Sequence, residues 1–207
     1  KVLKKIKAGI SEKEVAAMLD FEMKRAGAEP SFETNVSFGS NAAMAHHRPG
    51  NRKLKKVDTI LVDWGAKLNG YCCDLTRCFA VGKVKKLYAK AYKTVLDAQT
   101  TAINMLKAGI SVRDADKKAK EIIKAQNLQP YGHGLGHGLG IDIHESPAVS
   151  IHSKASLHSG NVITIEPGVY LDNKFGIRIE DDVVITDRGC EVLTSLVKSD
   201  NVPLLKV

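Results

Sequence analysis

The chain repeats itself. The pentapeptide KAGIS at residues 7–11 returns at residues 107–111. After the first copy, Ser11-Glu12-Lys13-Glu14 reads as a capping box: the serine hydroxyl takes an orphan amide and the glutamate reaches back. After the second, Ser111-Val112-Arg113-Asp114 repeats the box with Asp for Glu. Val15, Leu19 and Met23 at four-residue spacing predict a helix to about Ala26, closed by Gly27. The second helix runs to about Gln126, with Lys24 answered by Lys124. Five consecutive identities at constant offset predict two similar halves, related by a pseudo-twofold axis.

Strands fill the space between the helices. Thr59–Trp64 is an apolar run, Asn69-Gly70 is a strong hairpin signal, and Tyr71–Val81 is the return strand. Residues 84–107 read as one long helix, with Leu87, Ala91, Val95, Ala98, Ala102 and Met105 on its apolar face. Asn161–Leu171 and Phe175–Thr186 are two further strands joined by a turn at Asp172-Asn173. This order predicts an α+β fold, an antiparallel sheet with helices on its outer face. At 207 residues the chain has enough length to bury a core. Val2 to Lys7 has helical composition and the first residue is Lys1, so the chain is expected to begin inside a helix, as a piece of a longer protein.

Charge narrows the partners. The net charge is +8, but the lysines lie in short runs that aromatics do not interrupt, aromatics being 5% of the chain. Solvated helix faces explain this better than a nucleic-acid surface, so no nucleic-acid partner is expected. No apolar run is long enough to span a bilayer, and no membrane partner is expected. Cys72, Cys73, Cys78 and Cys190 form no CxxC pair and read as reduced thiols of a cytoplasmic protein.

Residues 131–145, YGHGLGHGLGIDIHE, hold three of the seven histidines: His133, His137 and His144. Glycine at 132, 134, 136, 138 and 140 makes a helix here improbable, at about 1 kcal/mol for each glycine. The expectation is an extended, kinked segment that something approaches closely and that aims imidazoles into a cleft.

Four carboxylates, Asp63, Asp74, Glu166 and Glu180, sit inside the apolar strand runs. Burying an unpartnered carboxylate is expensive, and two at 4 Å repel by about 4 kcal/mol at an effective dielectric near 20. The two hairpins can bring Asp63 to Asp74 and Glu166 to Glu180. Only Arg77 and Arg178 lie within these strands, too few to neutralise four acids. A pair of divalent metal ions does so, and four carboxylates with one imidazole suit Mn²⁺, Co²⁺, Fe²⁺ or Zn²⁺.

With these motifs in their order, nearly the whole chain resembles the pita-bread metallopeptidases: Xaa-Pro aminopeptidases, Xaa-Pro dipeptidases and methionine aminopeptidases. The resemblance implies the pita-bread (creatinase/aminopeptidase) fold with a curved sheet. It implies two metal ions, Mn²⁺ first among the candidates, held by Asp63 in VDWG, Asp74 in CDLTR, His137 in GHGLG, Glu166 in ITIEPG and Glu180 in RIEDD. His46 in FGSNAAMAHH, His133, His144 and Arg178 point to the Xaa-Pro branch, with His46 favoured over His47. On that resemblance Glu166 shuttles the proton, His133 and His144 donate to the developing oxyanion or the nearby substrate, and His46, His133 and Arg178 bind substrate. The implied activity is exopeptidase cleavage of an Xaa-Pro bond, with a peptide bearing proline at its second position as partner. The runner-up is a catalytically inactive peptide- or histone-binding module on the same fold. The resemblance further implies one catalytic domain over residues 1–207, an N-terminal domain outside this chain and a homodimer of the full-length protein.

Overall fold

The computed structural model describes residues 1–194, 196 and 198–206. A 3-10 turn at Val2–Lys5 opens the chain in place of the expected α-helix, and Ile6 is already extended. The first half then holds helix α1 (Glu12–Arg25) and strands β1 (Glu29–Pro30), β2 (Asn35–Phe38), β3 (Asp58–Trp64), β4 (Ala66–Leu68), β5 (Tyr71–Cys72) and β6 (Leu75–Val81). Helix α2 (Lys86–Met105) leads to the second half. There α3 (Val112–Ala125) precedes β7 (Gly136–Gly138), β8 (Glu145–Val149), β9 (Val162–Ile165), β10 (Gly168–Leu171), β11 (Phe175–Arg178), β12 (Asp181–Ile185), β13 (Cys190–Val192) and β14 (Leu204–Leu205). The sheets run β14-β6-β3-β2 and β13-β12-β9-β7-β8, with small β1-β4-β5 and β10-β11 ribbons. Among the described residues every pairing is antiparallel except β14 with β6, which is parallel.

The repeat is structural. Helices α1 and α3 occupy equivalent positions in the two halves and have 14 residues each. In the first half the Gly9 amide bonds the Leu54 carbonyl and the Leu54 amide bonds Ile10. In the second, Gly109 bonds Leu157 and Leu157 bonds Ile110 in the same way. Isolated bridges Ser11–Lys53 and Ser111–Ser156 complete the match. The caps differ, however. Ser11 and Glu14 form a full capping box, whereas Ser111 makes no side-chain cap bond. The Asp114 side chain is one methylene shorter than the glutamate it replaces, so the box does not close from that side.

Two clusters form the core. Val15, Val36, Phe38, Ile60 and Phe79 pack between α1 and the first sheet. Ile123, Leu135, Ile163, Ile165 and Ile177 belong to a larger cluster joining α2 and α3 to the second sheet. Each such fully buried side chain contributes about 1.5–3 kcal/mol. Leu87 of α2 departs from its expected place and is 43% exposed. Tyr88 takes the buried position, edge-on to Phe175 with ring centroids 5.0 Å apart.

Neither expected return strand is continuous, and this positions the site. The 71–81 strand breaks between Cys72 and Leu75, and its partner breaks at Gly65. A Cβ at Gly65 would run into the Cys73 carbonyl oxygen, so only glycine lets the two bends nest. The 161–171 strand likewise breaks at Glu166-Pro167, and the 175–186 strand breaks after Arg178. Asn69 and Asn173, at φ 52° and 58°, make the two tight turns beyond these breaks.

Candidate metal centre and active site

Three of the four acids lie at the bends, and Asp63 lies in β3 just before the break at Gly65. Asp63 is opposite Thr76 in the β3–β6 ladder, with Asp74 just before that strand begins. Glu166 follows β9 and Glu180 precedes β12, whose ladder pairs Ile165 with Asp181. The bends free Asp74, Glu166 and Glu180 from the alternation of a pleated strand, and their side chains meet that of Asp63. They meet in a cleft of about 460 Å³ between the halves, lined also by His46, His133, His137, His144 and Arg178. All nine residues singled out in the sequence therefore line one cavity, together with Phe32, Glu33, Arg48 and Ile143.

Asp74, His137 and Glu180 offer ligand atoms that all lie within 4.8 Å of one another. His137 Nε2 is 3.7 Å from both Asp74 Oδ2 and Glu166 Oε1. Its Nδ1 is 3.0 Å from the Gly138 carbonyl, which only accepts, so Nδ1 carries the proton and Nε2 presents its lone pair to the acids. The Oδ1 atoms of Asp63 and Asp74 are buried with no hydrogen-bond partner among the described residues.

Electrostatics give the same account. Burial first, then the charges of Asp63, Glu166 and Asp182, push the Asp74 carboxyl up to about 10. Burial pushes Glu166 up to about 8 against the opposing pull of Arg178, with Asp63 adding to the rise. Glu180 is raised well above the carboxylate range by burial and by Asp74, Glu166 and Asp63. Burial lowers His137, with the Gly138 carbonyl opposing and His144 adding to the fall. Orphaned oxygens, mutually repelling acids and a free imidazole lone pair fit a divalent cation at this place.

The two arginines divide. Arg77 turns away from the cleft to Asp181, at 2.6 Å. Arg178 stays, bonding Asp63 Oδ2 at 2.5 Å, Thr76 Oγ1 at 3.0 Å and the Tyr170 hydroxyl at 2.8 Å. That hydroxyl is also 3.1 Å from His133 Nε2, while His133 Nδ1 is 2.7 Å from the Gly134 carbonyl. Burial drives His133 down to about 4, leaving the ring neutral. Its Nδ1 then donates to Gly134 and its Nε2 accepts from Tyr170. Both ring nitrogens are engaged here, while the ring itself lines the cleft. His144 is exposed and stands edge-on to His137, with centroids 4.4 Å apart. His46 is exposed on the loop after β2.

Three participants escaped the sequence reading. Thr76 Oγ1 donates to Glu180 Oε2 at 2.6 Å, Asp182 Oδ2 accepts from the Asp74 amide at 3.0 Å, and Tyr170 joins Arg178 to His133. Hydroxyl residues and a tyrosine are ordinary in strands, so only the acidic pair Asp181-Asp182 carried any signal. The alternate glycines do permit the close approach expected of them. A Cβ at Gly136 would meet the Thr164 carbonyl oxygen and one at Gly138 the Ser146 carbonyl, so what approaches is neighbouring backbone.

The model of metallopeptidase family M24 matches residues 1–187. The chain is 44% identical over 191 residues to an uncharacterized peptidase of Staphylococcus haemolyticus, covering 91% of this chain and 54% of that protein. The crystal structure of an X-Pro aminopeptidase from Thermotoga maritima matches with a TM-score of 0.94 at 38% identity, over 98% of this chain and 58% of that one. An Xaa-Pro dipeptidase from Bacillus anthracis matches with a TM-score of 0.95 at 36% identity, over 99% and 57%. The fold is thus the pita-bread fold expected from the sequence. The chain spans about half the length of the curated relatives it matches. On its sequence and its fold alike, the chain belongs to metallopeptidase family M24.

Proposed function

We propose that these residues form the catalytic domain of an exopeptidase that hydrolyses the Xaa-Pro bond, using two divalent metal ions. The observation that carries this reading is the convergence of Asp63, Asp74, Glu166, Glu180 and His137 in one cleft. Asp63, Asp74, His137, Glu166 and Glu180 would hold the ions, Mn²⁺ being our first candidate. Bound there, the ions would supply Lewis acidity and the activation of water near neutral pH.

The chain's own residues supply the rest. Glu166, lining the cleft beside His137, is our candidate to take a proton from water and pass it to the leaving nitrogen. Arg178 holds Asp63 by one oxygen, leaving Oδ1 for a ligand role. His144, exposed beside His137, is the donor for developing oxyanion charge. Tyr170 positions its two partners: its hydroxyl accepts from Arg178 and donates to His133, fixing both side chains at the cleft wall. A prolyl amide nitrogen has no hydrogen, so recognition falls to shape, and Phe32 and Ile143 offer apolar wall for the ring. The two Xaa-Pro enzymes among the structural relatives support this specificity. With it we propose an N-terminal domain and a homodimer in the full-length protein, acting in the cytoplasm, where four free thiols stay reduced.

A panel of Xaa-Pro dipeptides, Xaa-Pro-Xaa tripeptides and matched alanine peptides, each with Mn²⁺, Co²⁺ or Zn²⁺, tests the reading. The proline peptides should be cleaved and the alanine peptides spared. Equal cleavage of both would remove the Xaa-Pro assignment, and the choice between dipeptide and tripeptide separates dipeptidase from aminopeptidase.

A further inference from the structure

Two buried acids outside the cleft have no part in the chemistry above. Glu12 opens α1 and is 0% exposed; Asp116 lies in α3 and is also 0% exposed. A carboxylate at such a position is costly unless donors surround it. Four N–H donors converge on Glu12: the Phe38 amide at 2.8 Å, Asn41 Nδ2 at 2.9 Å, His47 Nε2 at 2.9 Å and the Gly50 amide at 3.0 Å. These donors bracket the loop from residue 38 to residue 50, which carries His46. Asp116 accepts from the Tyr131 hydroxyl at 2.8 Å, the Ile151 amide at 2.7 Å and Lys120 Nζ at 2.8 Å. Its outer donors bracket residues 131–151, which carry His133, His137 and His144. Lys120 also reaches the His133 carbonyl at 3.4 Å, and the Tyr131 ring stacks 4.9 Å from that of His133.

The repeat shows that neither acid is needed to seat its helix. Under the offset that aligns the halves, Glu12 corresponds to Val112 and Asp116 to Ala16, both buried and apolar. An apolar residue therefore serves the helix packing at each equivalent place. Each helix instead carries one buried acid, at a different position, and each of these acids ties both ends of its own half's histidine-bearing segment. We propose that Glu12 and Asp116 are positioning residues: each holds, from behind, the loop that brings its half's histidines to the cleft. Glu12 acts on His46 through His47 and the loop ends. Asp116 acts on the His133–His144 segment through Tyr131 and Ile151.

This inference rests on the cleft being the peptidase site, so the test reads position apart from activity. The imidazole NMR resonances of Glu12→Gln and Asp116→Asn should be compared with the wild type, together with metal content and kcat/KM. Glu12→Gln is expected to shift His46 and leave His133, His137 and His144 in place, and Asp116→Asn to do the reverse. In both, metal content holds while kcat/KM falls roughly ten- to a hundredfold, as small misplacements of catalytic groups do. Should either variant fail to fold, His47→Ala and Tyr131→Phe remove one donor each and are read the same way; His47→Gln, which restores an N–H, should rescue the first. Resonances that move together in all variants, or in none, overturn the proposal. Selective shifts in a protein that cleaves no Xaa-Pro peptide would uphold the positioning and remove the peptidase reading instead.

Discussion

Glu180 and Asp181 are neighbours in the chain, both buried, at 2% and 0% exposure, yet they live in opposite electrostatic worlds. Glu180 lies in the bend and Asp181 begins β12, and their side chains meet different partners. Asp181 faces inward to Arg77, Lys198, Thr194 and Gln99. Burial alone would raise it, but Arg77, Lys198 and Thr194 outweigh that and hold it below the usual carboxylate range. Glu180 faces the cleft, where burial and three other acids raise it. One acid has all its counter-charge built into the protein. The other has Thr76 for one oxygen and awaits counter-charge from outside. Burial of an acid is thus no sign of function by itself; the deficit of partners around it is.

The strongest way to break this comparison is to neutralise an acid on each face. Asp181→Asn leaves Arg77 and Lys198 without their shared anion and should destabilise the fold by about 3–5 kcal/mol. Asp74→Asn, measured without metal, should leave the fold as stable or make it more so, since it relieves repulsion. Urea unfolding in a chelator checks both, and equal losses would mean that the two faces do not differ as described.

A smaller effect separates the cleft histidines from those on the surface. His144→Ala should lower kcat by about 10²–10³, the usual consequence of losing an oxyanion donor, with metal content unchanged. His133→Ala should lower it too, through the loss of the partner that orients Tyr170. His152 and His158 are exposed in the 150–160 loop and should tolerate alanine. Equal damage at His158 and His144 would dissolve the distinction.

The smallest effect is in the pH dependence of the metal-free protein. Glu166, raised from 4.5 to about 8, holds a proton in the folded state that the unfolded chain releases. Its contribution is therefore present in full below about 4.5 and is lost as pH rises toward 8. Asp182, raised by burial to about 7, adds a loss of the same sign. In chelator, Tm should fall between pH 5 and pH 8, and added Mn²⁺ should remove that slope. Asp181 has the opposite sign in the acid range, and His133, lowered to about 4, opposes the fall up to about pH 6.5, so the fall should be steepest above that. A Tm that rises with pH in chelator would contradict the assignment.

Much of this was legible in the residues. The KAGIS repeat announced the two halves, and Asp63, Asp74, Glu166 and Glu180 stood out because charge interrupts an apolar strand. The breaks beside those acids were not legible. A period-two pattern runs through Cys73-Asp74 unchanged, and only the tertiary fit of Gly65 against Cys73 shows why the strand must bend there. Along α2, Ala91, Val95, Ala98 and Ala102 are buried as expected, but at its start Tyr88 is covered in place of Leu87, because its partner Phe175 is distant in sequence. The partners Thr76 and Tyr170 look like ordinary strand residues until the fold puts them beside Arg178.

The central claim is that the cleft acids lack counter-charge that metal ions supply. Equilibrium dialysis of the metal-free chain against Mn²⁺, followed by elemental analysis of wild type and Asp74→Ala, tests it most directly. The account predicts two ions per wild-type chain and a clear loss in the variant. Wild-type stoichiometry in Asp74→Ala, or no ion bound by the wild type, would contradict it.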